Sequence, residues 1–327
     1  MSSFYLGVDI GGTKSHALIA DENGRAVGFG EGGPGNHESV GWDGTTAVLT
    51  SIVDQAVSSA GIQRDQIVGA GYGIAGYDWP SERQPIIDCI RQLGVSAPYE
   101  IVNDAIVGLL AGSADGWGVA LVAGTGTNCW GRDRNRREGR VTGEGIIMGE
   151  FGGATELVWK AIHAINNEWT MRGPTTRLST AFMELVGATS LADFIEGICE
   201  GYYDLGAKAA PLIVRLADDG DPVARGLVIW AAHELGSLAC GVARQLQLEA
   251  LEFDVILVGS LYDTTDLLLD PLRETIQQTA PHARLVRLTI PPVIGGVLLG
   301  VEMAGINPIA LRNQLIESTR LLRQPSE

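Results

Sequence analysis

The sequence predicts an α/β protein of two similar units that face each other. Two stretches, residues 4–20 and 119–131, each consist of an apolar strand, a turn of glycine and threonine, and a second strand. Elsewhere, apolar runs of strand length alternate with segments whose apolar residues recur at helical spacing, a pattern typical of α/β domains. A chain of 327 residues is long enough for two such units, each with its own core.

The two turns are candidate phosphate sites. The first is Gly11-Gly12-Thr13-Lys14 and the second is Gly124-Thr125-Gly126-Thr127. Glycine and threonine can present backbone N–H groups and a hydroxyl to an anion. Asp9, at the end of the first strand, puts a carboxylate beside the first turn, and a carboxylate next to a phosphate is repulsive unless a cation lies between them. We therefore expect phosphates between the two turns and Mg²⁺ near Asp9.

The elements after the first hairpin follow from apolar spacing and from glycine, proline and polar boundaries. The polar segment Gly112–Gly118 marks the end of the first domain, which is predicted to cover residues 1–117. Its further elements are, in order, a strand at 25–30, a helix at 41–60, a strand at 67–74, a helix at 81–93, a strand at 99–102 and a helix at 105–111.

The second domain is predicted to cover residues 118–305. A long helix starts at Asp221-Pro222, because Asp caps helices well and Pro fits the first helical turn. We expect the last helix, within 306–322, to complete the first domain and residues 323–327 to be frayed. The other elements expected after the second hairpin are a helix at 154–165, helices with breaks at 175–216, a strand at 255–258, a helix at 267–279, a strand at 285–288 and a small-residue helix at 294–305.

Composition limits the possible partners and the compartment. The net charge of −16 and the pI of about 4.7 argue against nucleic acid or an anionic membrane as a partner. They do not exclude ATP, since turns and helix N-termini bind phosphate with backbone dipoles. The four cysteines are far apart in sequence, which indicates free thiols in a reducing compartment. Without a signal pattern or an apolar run of membrane-spanning length, we expect a cytoplasmic protein.

Asn103-Asp104 is a further candidate site, because it follows a strand and opens a helix. This position lies at the predicted carboxyl edge of a parallel sheet, where ligands of α/β proteins bind. Asn and Asp are also good helix caps, so a purely structural role is the alternative. Gly259-Ser260 follows a buried strand in the same way, and Gly295-Gly296 lies in the small-residue helix.

The order of these features resembles the actin, hexokinase and heat-shock-cognate ATPase superfamily. That resemblance implies two ribonuclease H-like domains with the active site in the cleft between them. Within the superfamily, the chain is most similar to the BadF/BadG/BcrA/BcrD-type ATPases and to their N-acetylglucosamine kinase branch. The residues that carry this resemblance are Asp9 to Ser15, Gly35-Asn36-His37, Gly124 to Asn128 and Met148 to Gly152.

The resemblance implies a role for each matching residue. Asp9 would hold Mg²⁺ through water, and Asp104 would be the general base that accepts the proton of the attacking hydroxyl. The substrate-binding residues would be Asn36, Gly76, Asn103, Asp104, Gly145 and Glu150. The residues that bind ATP would be Gly11, Gly12, Thr13, Lys14, Gly124, Thr125, Gly126, Thr127, Gly259 and Ser260.

The sugar loop departs from the pattern of the kinase branch. Glu144 stands where that branch commonly has Trp, and Glu150-Phe151 stands where it has Asp-Glu. The ATP half of the resemblance is unaffected by these changes. The sugar half is weakened, which leaves open a different amino sugar or another kind of acceptor.

The resemblance implies ATP- and Mg²⁺-dependent phosphorylation of an amino sugar, N-acetylglucosamine to its 6-phosphate, by a homodimer. Glucosamine or another hexosamine is the alternative acceptor. Two other classes stay open: an ATPase that activates a reductase or dehydratase, and a non-catalytic sensor of sugar or nucleotide. The first would need clustered cysteines for an iron–sulfur cluster, and the second would be marked by loss of the carboxylate that Asp104 retains.

Overall fold

The computed structural model describes residues 3–322, so the expectation of a frayed terminus concerns residues outside this range. Two five-stranded sheets organise the chain. The first contains β1 (Phe4–Ile10), β2 (Ser15–Asp21), β3 (Ala26–Gly32), β4 (Ile67–Ile74) and β5 (Tyr99–Asn103). The second contains β6 (Gly118–Ala123), β7 (Thr127–Arg132), β8 (Glu138–Arg140), β9 (Phe253–Val258) and β10 (Ala283–Arg287).

Both sheets have the same topology. The strand orders are β3-β2-β1-β4-β5 and β8-β7-β6-β9-β10. In each sheet the first three strands form antiparallel hairpins, and the last two run parallel to the first strand. This duplication confirms the predicted fold class of two similar α/β units. We call them the first unit and the second unit, after their sheets.

Helices cover the sheets, and most lie close to the predicted positions. The helices of the first unit are α1 (His37–Ala60), α2 (Arg83–Arg91) and α3 (Asp104–Gly112). Those that follow β8 are α4 (Ala154–Trp169), α5 (Arg177–Val186), α6 (Leu191–Cys199), α7 (Ala210–Asp218), α8 (Pro222–Gln245), α9 (Leu269–Thr279), α10 (Val293–Met303) and α11 (Ile309–Leu322).

Two helix starts show how local sequence sets the boundaries. α1 begins four residues before the predicted start, because the Asn36 side chain caps it and the helix continues through a kink at Gly41 (φ 69°, ψ 170°). α8 begins where Asp221-Pro222 predicted, with the Asp221 carboxylate accepting from the backbone N–H of Ala224 at 2.9 Å.

The expectation that no apolar run reaches membrane-spanning length is wrong for α8. By length and hydropathy, α8 is apolar enough to cross a membrane. It lies instead in the core of the second unit, where it packs against α7, α9 and the second sheet. Its apolar character is therefore explained by burial inside the protein.

α10 lies directly on the backbone of the first sheet, although the sequence-based division groups it with the second unit. A Cβ atom added to Gly7 in β1 would lie 2.2 Å from the backbone nitrogen of Val297, and one on Gly69 in β4 would lie 2.1 Å from the carbonyl oxygen of Gly300. Glycines on these strands thus let helix and sheet meet without side chains between them.

α10 and α11 both pack on elements of the first unit. A Cβ on Gly295 would lie 1.9 Å from the carbonyl oxygen of Val107, so α10 also crosses α3 closely. In α11, the Ser318 hydroxyl accepts from the N–H of Ala26 at 2.9 Å, and Arg312 donates to the carbonyl oxygen of Ala111 at 2.6 Å. The domain limits at 117 and 305 stay a prediction.

Gly7→Ala should destabilise the protein, since the added methyl overlaps backbone atoms that cannot rotate away. Overpacking of this kind costs about 1–3 kcal/mol or more. The measurement is urea-induced unfolding of the purified protein. Gly33→Ala is the matched control, because its Cβ would have nothing within 4 Å. Equal effects of the two substitutions would contradict the close approach of α10.

Candidate active site

Two carboxylates that the sequence indicated as site residues lie close to each other, Asp9 buried and Asp104 partly buried. Asp9 ends β1 and Asp104 begins α3. Burial raises the pKa of Asp9 to about 8, with a further rise from the charge of Asp104 and an opposing effect of Lys14. Burial also raises the pKa of Asp104 to about 7, reinforced by the charge of Asp78 and opposed by hydrogen bonds from backbone N–H groups. Such a cluster is electrostatically unfavourable without a cation.

The proposed metal position fits Mg²⁺ in its chemistry. Within residues 3–322, no group of three or more His, Cys, Asp and Glu side chains could hold a metal ion. Mg²⁺ in phosphate-transferring sites is usually held by one or two carboxylates, water and the phosphates of the substrate. A single buried carboxylate at Asp9, beside the first Gly/Thr turn, meets that description.

Asn103 serves as a helix cap and also lies in the site. Its Oδ1 accepts from the backbone N–H of Ala105 at 3.0 Å, which caps α3 and fixes the start of the helix at Asp104. Its Nδ2 donates to the carbonyl oxygen of Tyr77 at 3.2 Å and to Asp78 Oδ1 at 3.3 Å. The two interpretations of Asn103-Asp104 are therefore compatible, since the cap holds the carboxylate in position.

Asn36 and Gly76 lie next to each other at the same edge of the first sheet. Asn36 caps α1, with its Oδ1 accepting from the N–H of Glu38 at 3.0 Å. A Cβ on Gly76 would lie 2.5 Å from Asn36 Oδ1 and 3.0 Å from the His37 ring. The His37 ring stacks on Trp42 at 3.9 Å, which fixes this side of the site.

The loop that contains Gly145 and Glu150 is held by the Glu150 carboxylate. Oε1 of Glu150 accepts from the N–H of Thr142 at 2.6 Å and from its hydroxyl at 2.9 Å, and Oε2 accepts from the N–H of Gly143 at 2.8 Å. The N–H of Glu150 donates to the carbonyl oxygen of Gly145 at 2.9 Å. Glu150 thus holds the conformation of the loop through hydrogen bonds to Thr142 and Gly143.

The second Gly/Thr turn rests on the N-terminus of α4. Backbone N–H groups of Ala154 and Thr155 donate to the carbonyl oxygens of Gly124 and Thr125, each at 3.0 Å. The Thr127 hydroxyl donates to the carbonyl oxygen of Glu150 at 3.3 Å. The second Gly/Thr turn and the loop that contains Gly145 and Glu150 are therefore directly connected.

A cavity of about 250 Å³ opens beside this turn. Ser260 contributes to its lining, and Gly259 just before it (φ 116°) lies where a Cβ would be 2.2 Å from the carbonyl oxygen of Ala123. Its lining residues are Gly124, Thr125, Ala154, Ala207, Lys208, Ala210, Pro211, Ser260, Leu261 and Thr264. The structure thus places Gly259-Ser260 beside the second turn.

Sequence reasoning missed three polar residues of the site. Asp78 follows β4, Asn128 follows the second turn, and Arg140 ends β8. Burial raises the pKa of Asp78 to about 6, and the positive charge of Arg140 and the side chain of Asn128 oppose this rise. Asp78 could have been found from sequence, because β4 runs parallel to β1 and its carboxyl end must lie near Asp9.

The duplicated sheets, each with a Gly/Thr turn in its first hairpin, define a fold of the actin and hexokinase type. The sequence profile of the BadF/BadG/BcrA/BcrD ATPase family matches residues 6–300. This protein therefore belongs to the BadF/BadG/BcrA/BcrD ATPase family, as the sequence motifs indicated.

Relatives of known sequence and structure agree with this assignment. The N-acetyl-D-glucosamine kinase of Dictyostelium discoideum is 26% identical over 311 residues, covering 91% of this chain and 98% of that protein. The N-acetylmuramic acid/N-acetylglucosamine kinase of Clostridium acetobutylicum is 25% identical over 300 residues, covering 90% and 97%. A candidate N-acetylglucosamine kinase from Porphyromonas gingivalis, solved as a crystal structure, is 22% identical with a TM-score of 0.63, covering 90% and 98%.

Asp9→Asn should stabilise the ligand-free protein near pH 8. The pKa of Asp9 is about 8 in the folded protein and near 3.8 in its reference state. Between these two pH values the unfolded chain loses the proton of Asp9 and the folded protein keeps it, so stability falls as the pH rises. Asn does not ionise and avoids this loss. Thermal unfolding at about pH 5 and about pH 8 tests this, and we expect the larger gain at the higher pH.

Asp133→Asn is the control of opposite sign. Burial of Asp133 is outweighed by hydrogen bonds from Arg137 and Asn135, which lower its pKa. Its ionised form is therefore stabilising, and Asn should lower the unfolding temperature at pH 8. An Asp9→Asn variant that is less stable than wild type at pH 8 would contradict the unfavourable burial of this carboxylate.

Proposed function

We propose that this protein transfers the γ-phosphoryl group of ATP to a hydroxyl of an amino sugar, with N-acetylglucosamine giving the 6-phosphate as the first choice. The observation that carries the proposal is the partly buried Asp104 beside the buried Asp9, at the cleft edge where the first Gly/Thr turn also lies. The kinase names of the two relatives, each similar over nearly its whole length, support the same reaction class.

In this proposal Asp104 accepts the proton of the attacking hydroxyl. Phosphoryl transfer depends on positioning and charge neutralisation more than on covalent chemistry, so the fixed start of α3 is as important as the carboxylate itself. Asn36, Gly76 and Asn103 would line the acceptor position together with the loop that contains Gly145. Glu150 would contribute by holding that loop.

The nucleotide would lie between the two units. Its phosphates would meet the backbone N–H groups of Gly11 to Lys14 on one side and of Gly124 to Thr127 on the other. The nucleoside would enter the cavity beside Gly259 and Ser260. Mg²⁺, held through water by Asp9 and by phosphate oxygens, would supply neutralisation of the charge that develops on the phosphates.

A free amine on the sugar is the second candidate for the acceptor. Asp78 and Glu144 add carboxylates beside the proposed position of the sugar. Glu144 occupies the place where the kinase branch commonly has Trp. A cationic 2-amino group would be attracted by this charge, whereas an acetamido group would not. We therefore include glucosamine and other hexosamines in the proposal.

A panel of acceptors tests the function. ADP release and sugar phosphate formation are measured with Mg-ATP and N-acetylglucosamine, glucosamine, N-acetylmannosamine, N-acetylgalactosamine, glucose or no sugar. We expect one amino sugar to exceed the blank, and Asp104→Asn to lower its turnover by about 10²–10⁴-fold. Turnover equal to the blank for every sugar would contradict a hexosamine kinase and point to partner-dependent ATPase activity or a sensor.

The pH profile tests the role of Asp104 separately. A base must be deprotonated to accept a proton, and the pKa of Asp104 is about 7. The kcat/KM for the sugar should therefore rise tenfold per pH unit below about pH 7 and level off above it. Asp88→Asn, at an exposed site on α2, should leave the profile unchanged. A flat profile between about pH 5.5 and 8 would contradict this assignment.

The family resemblance also supports a homodimer in the cytoplasm. Size-exclusion chromatography with light scattering measures the first part of this proposal. A monomer at micromolar concentration would contradict it.

A further inference from the structure

The segment that follows β4 carries a tryptophan that contacts the second unit. Trp79 is 39% exposed, and its backbone N–H donates to Glu82 Oε2 at 2.7 Å. The same carboxylate oxygen accepts from the backbone N–H of Asp78 at 2.8 Å, and the Glu82 side chain is only 17% exposed. Two hydrogen bonds to one carboxylate therefore hold the backbone from which the indole projects.

This segment also lies against residues of the proposed acceptor position. Asn103 donates from Nδ2 to the carbonyl oxygen of Tyr77, two residues before Trp79, at 3.2 Å. A Cβ on Gly76 would lie 2.5 Å from Asn36 Oδ1. The backbone of Trp79 is thus fixed relative to the side of the site that the first unit provides.

On the second unit, the indole of Trp79 contacts two side chains. Its Nε1 donates to Glu144 Oε1 at 3.2 Å, and Cζ of Arg140 lies 4.7 Å from the centre of its ring. Arg140 Cζ also lies 5.2 Å from the ring centre of Trp130 in β7. The hydrogen bond acts at the edge of the indole and the cation acts on its face, so together they fix the orientation of the ring.

Both partners of Trp79 belong to the segment that forms the loop with Gly145. Arg140 donates to the carbonyl oxygens of Val141 and Thr142, at 3.1 and 3.4 Å. The backbone N–H of Glu144 donates to the Thr142 hydroxyl at 3.4 Å. Because these residues are bonded to one another, contacts to Arg140 and Glu144 hold the start of the loop and not only two side chains.

The loop has a separate attachment to its own unit. The Thr127 hydroxyl donates to the carbonyl oxygen of Glu150 at 3.3 Å, which ties the end of the loop to the second Gly/Thr turn without Trp79. What Trp79 adds is a connection to the first unit, which carries Asn103 and Asp104.

We propose that Trp79 is a positioning residue for the acceptor. Through Glu144 and Arg140, it holds the loop that contains Gly145 against the first unit, so that the two sides of the acceptor position stay at a fixed distance. This inference rests on the proposed kinase function and deepens it. Trp79 acts through the loop, without contact to the reacting atoms.

Two substitutions of Trp79 test the proposal in the steady-state kinetics of the best acceptor. Trp79→Phe keeps an aromatic ring beneath Arg140 and removes the donor to Glu144. The KM for the sugar should rise about three- to tenfold, the effect of one lost hydrogen bond to a charged group. Trp79→Leu removes both contacts and should raise this KM about two- to fivefold further.

The kinetic constants that should not change are equally informative. A loop that meets the sugar equally in the bound state and in the transition state affects KM and leaves kcat within about twofold. The KM for ATP should also stay within about twofold, because the bond from Thr127 to Glu150 is untouched by both substitutions. A rise in the KM for ATP as large as that for the sugar would show a general disturbance of the cleft and would overturn the positioning role.

A double-mutant cycle tests whether Trp79 acts through Glu144. Glu144→Ala should raise the KM for the sugar as Trp79→Phe does. The double variant should be no worse than the more affected single variant, because both substitutions remove the same hydrogen bond. Effects that multiply would mean that Glu144 acts on the sugar independently of Trp79, and would overturn the connection.

Two controls separate positioning from folding. Trp169→Phe makes the same substitution at the end of α4, where the tryptophan is 47% exposed, and should leave every constant within about twofold. Thermal unfolding of Trp79→Phe should stay close to wild type, because the side chain is partly exposed. If the Trp79 variants do not fold, Glu144→Ala at its exposed position tests the same hydrogen bond from the other side.

The outcomes are distinguishable. A KM for the sugar within twofold of wild type in Trp79→Phe or in Glu144→Ala overturns the positioning role. No sugar turnover in the wild type overturns the proposed function and this inference together. Wild-type turnover with a sugar KM that is insensitive to these two substitutions overturns this inference alone.

Discussion

The direct contact of α10 with the backbone of β1 and β4 is the constraint on which the site depends. β1 carries Asp9 at its end, and α3 carries Asp104 at its start. α10 lies against both β1 and α3, through Gly7 on the strand and through its own Gly295 on the helix. α10 therefore packs against both elements that carry these carboxylates, and the paired strands β1, β4 and β5 also link them through the sheet.

The same architecture creates an electrostatic conflict in the cleft. Asp9, Asp78 and Asp104 all have raised pKa values, first because they are buried, and Asp9 and Asp104 also because a neighbouring carboxylate repels each of them. Clusters of this kind are typical of functional sites, where stability is sacrificed to place charge next to a substrate. The positive charges of Lys14 and Arg140 lower the pKa values of Asp9 and Asp78 and so reduce this unfavourable interaction. Bound phosphates with a cation would reduce it further.

Much of the fold follows from local sequence, and particular residues show why. The paired hairpins, the strand at β4 and the start of α8 agree with the predicted positions, because glycine turns, apolar runs and an Asp-Pro cap act over a few residues. The predicted start of α1 lies too far along the chain, since Gly41, where the helix kinks, looks like a helix boundary in the sequence. The bonds of Glu150 to Thr142 and Gly143 were not predicted, because they depend on a loop conformation that the sequence pattern does not specify.

The sequence by itself determined the class of fold, the family and the positions of the two Gly/Thr turns, since each depends on residues that are neighbours in the chain. Only the tertiary structure decided which side chains meet across the cleft. Trp79 and Glu144 are 65 residues apart and belong to different units, and a hydrogen bond of 3.2 Å joins their side chains. Periodicity and spacing report on one strand or helix at a time, so they do not predict contacts between side chains of the two units.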